Sequence, residues 1–383
     1  MQPRMQSAAA AAQTPLAREL ARRIASNGPI TFAEYMETCL YDPAHGYYSR
    51  PERTRFADYY TSVDVHPIFG RLMARQLDEM WRLLDRPASF EVVEAGAGAG
   101  RLAGHILDFA AARLPDFYSA LKYFAVERSP ARRAAHTATI GGHLATGRAE
   151  SRAELPTQIS AGCVLSNELI DAMPVHRVEC REGQLREVFV SYEGGRFMDA
   201  PGSLSTQRIE EYFKRQGTAL AEGQEAEAGL AACNWIAESG GKLQRGFVLT
   251  VDYGYEARQL YGHQRTKGTL LAYRDHRVND DFYAAPGEQD LTSHANFTAL
   301  ELWGRDGELE LVGIVPQCKF LLALGQKNEF ADLYDTGQSE PDRLRAQLGL
   351  SSLIHPEGMG ETFRVMVQKK GIGAARLTGL APL

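Results

Sequence analysis

The stretch Phe90-Glu91-Val92-Val93-Glu94-Ala95-Gly96-Ala97-Gly98-Ala99-Gly100-Arg101-Leu102 decides the fold class of this 383-residue chain. An apolar strand ends in small residues, and a helical pattern begins directly after them. The glycines Gly96, Gly98 and Gly100 let the backbone turn sharply and approach a ligand, while the following helix offers free N–H groups. Taken alone, this glycine pattern fits a bound nucleotide-like ligand or merely a tight turn.

The spacing of the glycines and two acids narrow the choice of ligand. The glycines follow G-x-G-x-G, whereas a dinucleotide site uses G-x-G-x-x-G to approach a pyrophosphate. S-adenosylmethionine (SAM) has no phosphate and carries a cationic end, which Glu94 beside the turn is placed to attract. Glu127 ends the next apolar strand and is placed to accept both ribose hydroxyls of a nucleoside. NAD enzymes use the same acid, so Glu127 supports a nucleoside ligand more than SAM itself.

Outward from this turn, short apolar strands alternate with helices. This alternation predicts an α/β fold with a largely parallel sheet covered by helices. The predicted strands are 90–94, 122–127, 163–167, 247–252 and 363–368. We predict a catalytic core over residues 87–176 and 245–370, preceded by a disordered segment 1–14 and a helical region 15–86. Residues 177–244 interrupt the alternation, with a β-hairpin around Glu182-Gly183-Gln184 and a helical 207–239, and predict an inserted substrate lobe.

Composition excludes several classes of protein. The formal net charge of −6 argues against broad nucleic-acid binding, which needs a concentrated basic surface. No apolar run is long enough to cross a bilayer, so membrane insertion is not expected. The five cysteines are scattered without a C-x-x-C pair, which suggests neither a disulfide framework nor a zinc site. No metal is expected, and a reducing compartment fits best.

A second polar segment follows the strand 163–167, in the order Leu165-Ser166-Asn167-Glu168-Leu169-Ile170-Asp171-Ala172-Met173-Pro174-Val175. In doubly wound topology, this strand end lies over the same crevice as the glycine turn. Glu168 and Asp171 are three residues apart, so a helical turn would place both carboxylates on one face, able to hold a guanidinium or ammonium. The alternative is an ordinary capped helix start with solvated acids. Asn167, Glu168 and Asp171 are therefore the candidate catalytic residues.

Six segments occur together in one order and resemble a known family. They are Tyr41–Tyr48, Thr61-Ser62 with Phe69-Gly70, Glu94–Gly100, Ser166–Val175, Val251-Asp252-Tyr253-Gly254-Tyr255 and His355–Glu361. The set resembles the MidA family of SAM-dependent protein arginine methyltransferases, related to the mitochondrial complex I assembly factor. The resemblance implies a class I (Rossmann-like) methyltransferase core with a seven-stranded sheet and an added lobe. It also implies SAM contacts at Thr61, Ser62, Glu94, Gly96, Gly98, Gly100, Glu127 and Asn167.

The resemblance implies methyl transfer to an arginine of a protein substrate, with a respiratory complex I subunit or assembly partner as one candidate. Glu168 and Asp171 would then orient the guanidinium and accept its proton. Two alternatives remain: a non-catalytic assembly protein that keeps SAM as a ligand, and a nicotinamide-dependent oxidoreductase. We expect a cytoplasmic location if the chain is bacterial and the mitochondrial matrix if it is eukaryotic; a homodimer is compatible with the sequence.

A further polar stretch, residues 273–297, mixes charged and aromatic side chains without a helical or strand period. It is expected to line a substrate channel or to form a surface loop braced by weak ion pairs. His276 and His294 lie in it, but no Ser/His/Asp or H-E-x-x-H arrangement accompanies them. Hydrolase and metalloenzyme interpretations are therefore disfavoured.

Overall fold

A computed structural model describes residues 14–49, 63, 66–274, 277–326, 339–355 and 360–382. Contacts within the chain group its residues into two units. Unit 1 comprises Met1–Tyr59, Ala172–Ala231 and Arg258–Ser293, and unit 2 comprises Tyr60–Asp171, Ala232–Ala257 and His294–Leu383. Each unit is therefore built from segments that are far apart in the sequence.

Several helices begin where the sequence supplies a capping side chain. The hydroxyl of Thr14 accepts the N–H of Ala17 at 2.9 Å, and Thr31 and Glu34 form the predicted capping box. In chain order the helices are α1 (Pro15–Asn27), α2 (Phe32–Tyr41), α3 (Ile68–Leu83), α4 (Arg101–Arg113), α5 (Pro115–Ala120), α6 (Pro130–Ala134), α7 (His136–Ala145), α8 (Arg208–Arg215), α9 (Leu230–Lys242), α10 (Ala257–Leu260), α11 (Phe297–Gly304), α12 (Gln317–Gln326) and α13 (Glu340–Ile354).

The strands lie close to the predicted apolar runs, and further short strands lie between them. In chain order they are β1 (Ile30–Thr31), β2 (Phe90–Ala95), β3 (Leu121–Val126), β4 (Ala149–Arg152), β5 (Gly162–Asn167), β6 (His176–Arg181), β7 (Gln184–Glu193), β8 (Arg196–Gly202), β9 (Glu225–Ala228), β10 (Gly246–Tyr255), β11 (Leu271–Arg274), β12 (Arg277–Asn279), β13 (Asp290–Thr292), β14 (Ala295–Asn296), β15 (Glu310–Pro316) and β16 (Phe363–Lys370). The predicted α/β class is confirmed.

Unit 2 contains the central sheet. Within the described ranges, its continuous strand order is β4-β3-β2-β5-β10-β16-β15, and β14 pairs with β10 outside this path. The strands from β4 to β10 are parallel, whereas β16 runs antiparallel to its neighbours β10 and β15. The end residue Ala95 is in register with Val126 of β3 and Ser166 of β5. The carboxyl ends of these three strands therefore meet at one edge of the sheet.

One face of this sheet is covered by the apolar sides of α3, α4, α12 and α13. Fully buried residues such as Phe69, Leu107, Leu165 and Phe247 belong to this core. The core holds β2 and β5 in place, so the polar residues that follow these strands are attached to a rigid support.

Unit 1 is built on a five-stranded sheet with the order β1-β7-β6-β9, in which β8 pairs with β7, and on a three-stranded sheet β12-β11-β13. The predicted hairpin is confirmed, because Arg181 pairs with Gln184 across a two-residue turn. Glu182 and Gly183 in that turn have φ values of 54° and 70°. Positive φ at both central residues is typical of the tight type I′ turn that suits a twisted hairpin.

The polar segment after β8 differs from its predicted all-helical form. It contains α8, β9 and the start of α9 rather than one helical stretch. Ala226 and Ala228 of β9 are buried, while the residues before them face outward more, which is the alternation of a strand. The carboxylate of the half-buried Glu227 accepts the N–H groups of Thr269 and Leu270, so a distant segment favours the strand.

The helical region 15–86 does not stay together. Helices α1 and α2 belong to unit 1, where α2 contacts β6 and β7, whereas α3 belongs to unit 2 and packs on α4. Each of these amphipathic helices packs its apolar face against the core of its own unit. The predicted lobe 177–244 is likewise divided: residues 177–231 belong to unit 1, together with α1, α2 and β11–β13, whereas residues 232–244 belong to unit 2. Among the described residues, no helix has the length and apolar character needed to cross a membrane.

Candidate active site

The glycine turn lies at the carboxyl end of β2. Gly96, Gly98 and Gly100 have φ values of 73°, 56° and 81°, a region that strongly favours glycine. A Cβ on Gly96 would lie 2.9 Å from Leu169 Cδ1, and one on Gly100 would lie 3.1 Å from His136 Cδ2. A Cβ on Gly98 would meet no described atom within 4 Å. The turn is therefore packed on both sides and open in its middle, where a ligand can approach the backbone.

Glu127 follows β3 and joins that strand end to the glycine turn. Its Oε2 accepts the N–H of Gly98 at 2.9 Å, and its Oε1 accepts the N–H of Ser129 at 2.8 Å. A carboxylate oxygen has a second lone pair after one such bond, so both oxygens retain capacity for hydroxyl donors. The carboxylate beside an open turn therefore fits the ribose of an adenosine-type ligand.

His136 also contacts the glycine turn, and the sequence analysis did not identify it. Its Nε2 lies 3.0 Å from the Gly98 carbonyl oxygen and its Nδ1 lies 2.8 Å from the Ser151 hydroxyl. A carbonyl only accepts, so the proton is on Nε2, and Nδ1 accepts from the hydroxyl. Burial lowers the pKa of His136, which favours this neutral ring. No local motif marks this histidine because it joins α7 to a turn 38 residues away.

Glu94 lies inside the sheet rather than in the turn. It is buried, and its Oε2 accepts the hydroxyl of Tyr123 at 2.8 Å. Burial, with a smaller effect of the Glu127 carboxylate, raises the pKa of Glu94 to about 8 against the opposing effects of the Tyr123 hydroxyl and the Ala103 N–H. At neutral pH Glu94 is thus mostly protonated, and it must lose that proton before it attracts a cation as predicted.

The polar segment after β5 does not form the predicted helical turn. Residues 168–173 contain no helix, and Glu168 has a φ of 53°. Glu168 and Asp171 are nevertheless both buried, 4% and 0% exposed, so they are not ordinary solvated acids. The amide of Asn167 donates to Glu168 Oε1 at 3.1 Å. Its own Oδ1 is buried and accepts no hydrogen bond from the described residues.

Asp252 on β10 explains why this segment is not helical. Its Oδ2 accepts the N–H groups of Leu169 at 3.1 Å and Ile170 at 2.8 Å, and its Oδ1 accepts the N–H of Tyr253 at 2.9 Å. These bonds draw the backbone after β5 toward β10 and out of a helical path. Burial, the charge of Asp171 and then that of Glu168 raise the pKa of Asp252. The sequence contained Asp252 within a family motif but did not mark it as a site residue.

The structure thus brings together the acids of three strand ends at one edge of the sheet. Asn167, Glu168 and Asp171 follow β5, next to the glycine turn after β2 and Glu127 after β3. The predicted cofactor residues Thr61 and Ser62 lie outside the described residues. Within the described ranges, no group of His, Cys, Asp and Glu residues forms a candidate metal site.

A family model for S-adenosyl-L-methionine-dependent methyltransferases matches residues 72–315. The chain belongs to this methyltransferase family. The match includes the glycine turn, Glu127 and the segment after β5. SAM is therefore the cofactor of this family, and the open turn beside Glu127 fits its adenosine end. The nicotinamide-dependent alternative is not supported.

Relatives and solved structures extend the likeness beyond the matched core. The methyltransferase is 28% identical to human protein arginine methyltransferase NDUFAF7, mitochondrial, over 91% of this chain and 82% of that protein. The Drosophila melanogaster homolog is 27% identical over 98% of this chain and 90% of that protein. A crystal structure from Burkholderia thailandensis, bound to S-adenosyl-homocysteine, is 31% identical with a TM-score of 0.83, covering 96% of this chain and 94% of its own.

Proposed function

We propose that this methyltransferase transfers methyl groups to a guanidinium nitrogen of an arginine in a protein substrate. The observation that carries the proposal is the pair of buried carboxyl groups, Glu168 and Asp171, which directly follow β5, the strand beside β2 and its glycine turn. Buried acids favour a cationic partner, and a guanidinium offers planar donors that match carboxylate geometry. The names of the relatives, protein arginine methyltransferases, support the same substrate class.

The proposed cofactor contacts come from the three strand ends. Gly96, Gly98 and Gly100 provide backbone that a ligand can approach, and Glu127 would accept the ribose hydroxyls. Asn167, whose buried Oδ1 is available to a donor, would face the cofactor from β5. Glu94, once deprotonated, would attract the cationic end of the cofactor. Thr61 and Ser62 would complete the cofactor contacts. Bound SAM supplies a methyl group on a positively charged sulfur.

The acids after β5 would orient the substrate and accept its proton. A guanidinium is protonated at neutral pH, so its nitrogen becomes a nucleophile only as a proton leaves. Glu168 and Asp171 are placed to hold the guanidinium by hydrogen bonds and to accept that proton as the new nitrogen–carbon bond forms. Asn167, bonded to Glu168, would limit the rotation of the Glu168 carboxyl group. The larger part of the rate would come from alignment in a dry site.

We assign the central sheet to the class I methyltransferase arrangement, because seven strands of the described part of the chain form its continuous path and β16 is reversed. Unit 1 contains residues 177–231 of the predicted lobe and is our candidate for contact with the protein substrate. A formal charge of −6 speaks against nucleic acid as a partner, and we expect no membrane insertion. The five cysteines are free thiols, which suits a bacterial cytoplasm or a mitochondrial matrix. A homodimer is an additional proposal.

The test is to incubate the chain with methyl-labelled SAM and lysate of a strain that lacks it, and to identify labelled residues by mass spectrometry. Wild type should label arginine. Glu168→Gln and Asp171→Asn should each lower the labelling rate by about 100-fold or more. The exposed Glu154→Gln is the matched control and should label as wild type does.

Three outcomes would contradict the proposal. Full labelling by both acid variants at unchanged SAM affinity would remove Glu168 and Asp171 from the reaction. SAM binding by wild type without transfer to any partner would favour the alternative, a SAM-binding assembly protein. Label on a residue other than arginine would support methyltransferase activity but show that arginine is not the substrate residue.

A further inference from the structure

The backbone after β5 is held in a costly conformation by one side chain. Glu168 has a φ of 53°, in the left-handed region that a residue with a Cβ rarely adopts. Directly after it, the N–H groups of Leu169 and Ile170 both point at Asp252 Oδ2, at 3.1 and 2.8 Å. Asp252 is fully buried on the neighbouring strand β10. Its contacts therefore fix the turn on which Glu168 and Asp171 lie.

The same contacts are not those of an ordinary helix cap. No helix begins at residues 168–173, so the two N–H groups are not the free amides of a helix start. A third backbone N–H, from Tyr253, occupies the other oxygen of Asp252. The backbone donors Ile170 and Tyr253 oppose the effects of burial, Asp171 and Glu168, although the pKa of Asp252 stays raised. Oδ2 of Asp252 thus holds the backbone at the end of β5, while Oδ1 accepts the N–H of the next residue of β10.

We propose that Asp252 is a positioning residue of the methyl-transfer reaction, which fixes the turn 168–171 so that Glu168 and Asp171 face the substrate guanidinium. The inference rests on the proposed roles of Glu168 and Asp171. Asp252 itself does not need to touch the substrate or the cofactor. Its effect on the rate passes through the backbone of Leu169 and Ile170.

The test compares Asp252→Leu, Asp252→Asn and Thr250→Val in the full chain. Leucine removes all three acceptor bonds. Asparagine keeps one oxygen for the Leu169 and Ile170 amides but turns its NH₂ group toward the Tyr253 N–H. Thr250 lies on the same strand, is 1% exposed, and its hydroxyl has no hydrogen-bond partner within the described part of the chain. Thr250→Val therefore controls for disturbing β10 itself.

We expect Asp252→Leu to lower kcat about 100-fold, as misplacement of catalytic groups by about 1 Å does, while the Kd for SAM changes less than about threefold. Asp252→Asn should recover part of the loss, and Thr250→Val should keep a kcat near that of wild type. Hydrogen–deuterium exchange should show slow exchange of the Leu169 and Ile170 amides in wild type and fast exchange in Asp252→Leu. The β5 amide of Val164 should stay protected in every variant.

Three results would overturn the inference. These are a wild-type kcat in Asp252→Leu, rapid exchange of the Leu169 and Ile170 amides already in wild type, or a joint loss of Tm and SAM affinity in Asp252→Leu. The last result would give Asp252 a general role in the fold. If wild type labels a residue other than arginine, the proposed substrate fails, while the exchange data and the kcat ratio on the true substrate still test the positioning role.

Discussion

Glu127 accepts the backbone N–H of Gly98 at 2.9 Å, so the acid at the end of β3 holds the turn at the end of β2. Its other oxygen holds the N–H of Ser129. The carboxylate is thereby fixed in place before any ligand arrives. A fixed acceptor loses little conformational freedom on binding, which favours affinity.

Replacing Glu127 by glutamine should weaken SAM binding by about 10- to 100-fold, since hydrogen bonds to a charged group contribute about 1.5–3 kcal/mol. The glutamine NH₂ would face the N–H of Gly98 or of Ser129, and one of the two acceptor bonds would be lost. Isothermal titration calorimetry with SAM measures the change. Glu154→Gln is the control, and an unchanged Kd in Glu127→Gln would exclude the ribose role.

Gly100→Ala should destabilise the chain by about 1–3 kcal/mol, because alanine is strained at a φ of 81° and its Cβ would press on the ring of His136. The matched control is Gly142→Ala in α7. A Cβ there meets no described atom within 4 Å, and alanine in a helix should stabilise by about 0.5–1 kcal/mol. Urea unfolding of both variants gives the comparison. Equal midpoints would mean that the glycine turn tolerates side chains.

Glu94→Gln should stabilise the chain increasingly as the pH rises. The folded-state pKa of Glu94 is about 8, above the ordinary value of 4.5, so its contribution is complete below about pH 4.5 and is lost as the pH rises toward 8. Glutamine stays neutral and its carbonyl still accepts the Tyr123 hydroxyl. The advantage should be near zero at about pH 4.5 and about 2–4 kcal/mol at about pH 8. Unfolding across this range measures it, and a pH-independent difference from wild type would refute the shifted pKa.

Arg177→Met should destabilise unit 1 by about 1.5–3 kcal/mol, because it removes charge-assisted hydrogen bonds from a buried guanidinium to Asp199, whose side chain is 45% exposed. Arg177 is 7% exposed and binds both oxygens of Asp199, at 2.6 and 3.1 Å. Its guanidinium carbon also lies 5.3 Å from the Phe32 ring centre and 4.8 Å from that of Phe282. Denaturant unfolding followed by near-ultraviolet circular dichroism reports on these aromatic residues.

Arg181→Met is the control for that change, since the Arg181 side chain is 61% exposed. The double variant Arg177→Met, Asp199→Leu removes both charges and should recover part of the lost stability. No recovery would show that packing on the rings, rather than the ion pair, carries the contribution of Arg177.

The sequence was informative wherever structure depends on near neighbours. The strand-turn-helix from Phe90 to Leu102, the capping box at Thr31 and the hairpin at Glu182 all form as their local patterns predicted. Each depends on backbone preferences and side-chain contacts within a few residues. Local chemistry therefore locates the glycine turn and the main strands.

The features of the site that the sequence did not predict depend on contacts between residues distant in the chain. Asp252 meets Leu169 across 83 residues, and this contact replaces the helix expected for Glu168 and Asp171. The protonated state of Glu94 follows from burial, which no local pattern of the sequence reveals. His136 carries no motif, because its role arises from meeting Gly98. These details of the site required the folded chain.

The interleaving of the two units has a consequence for synthesis. A ribosome releases the chain from its amino end, and unit 1 lacks β13 until residue 292 has emerged, while unit 2 lacks β16 until residue 370 has. The apolar faces of α1 and α2 must therefore wait through most of translation for their final partners. Such late closure exposes apolar surface for long periods, so the nascent chain is expected to depend on chaperones. Neither unit can be produced as one uninterrupted fragment.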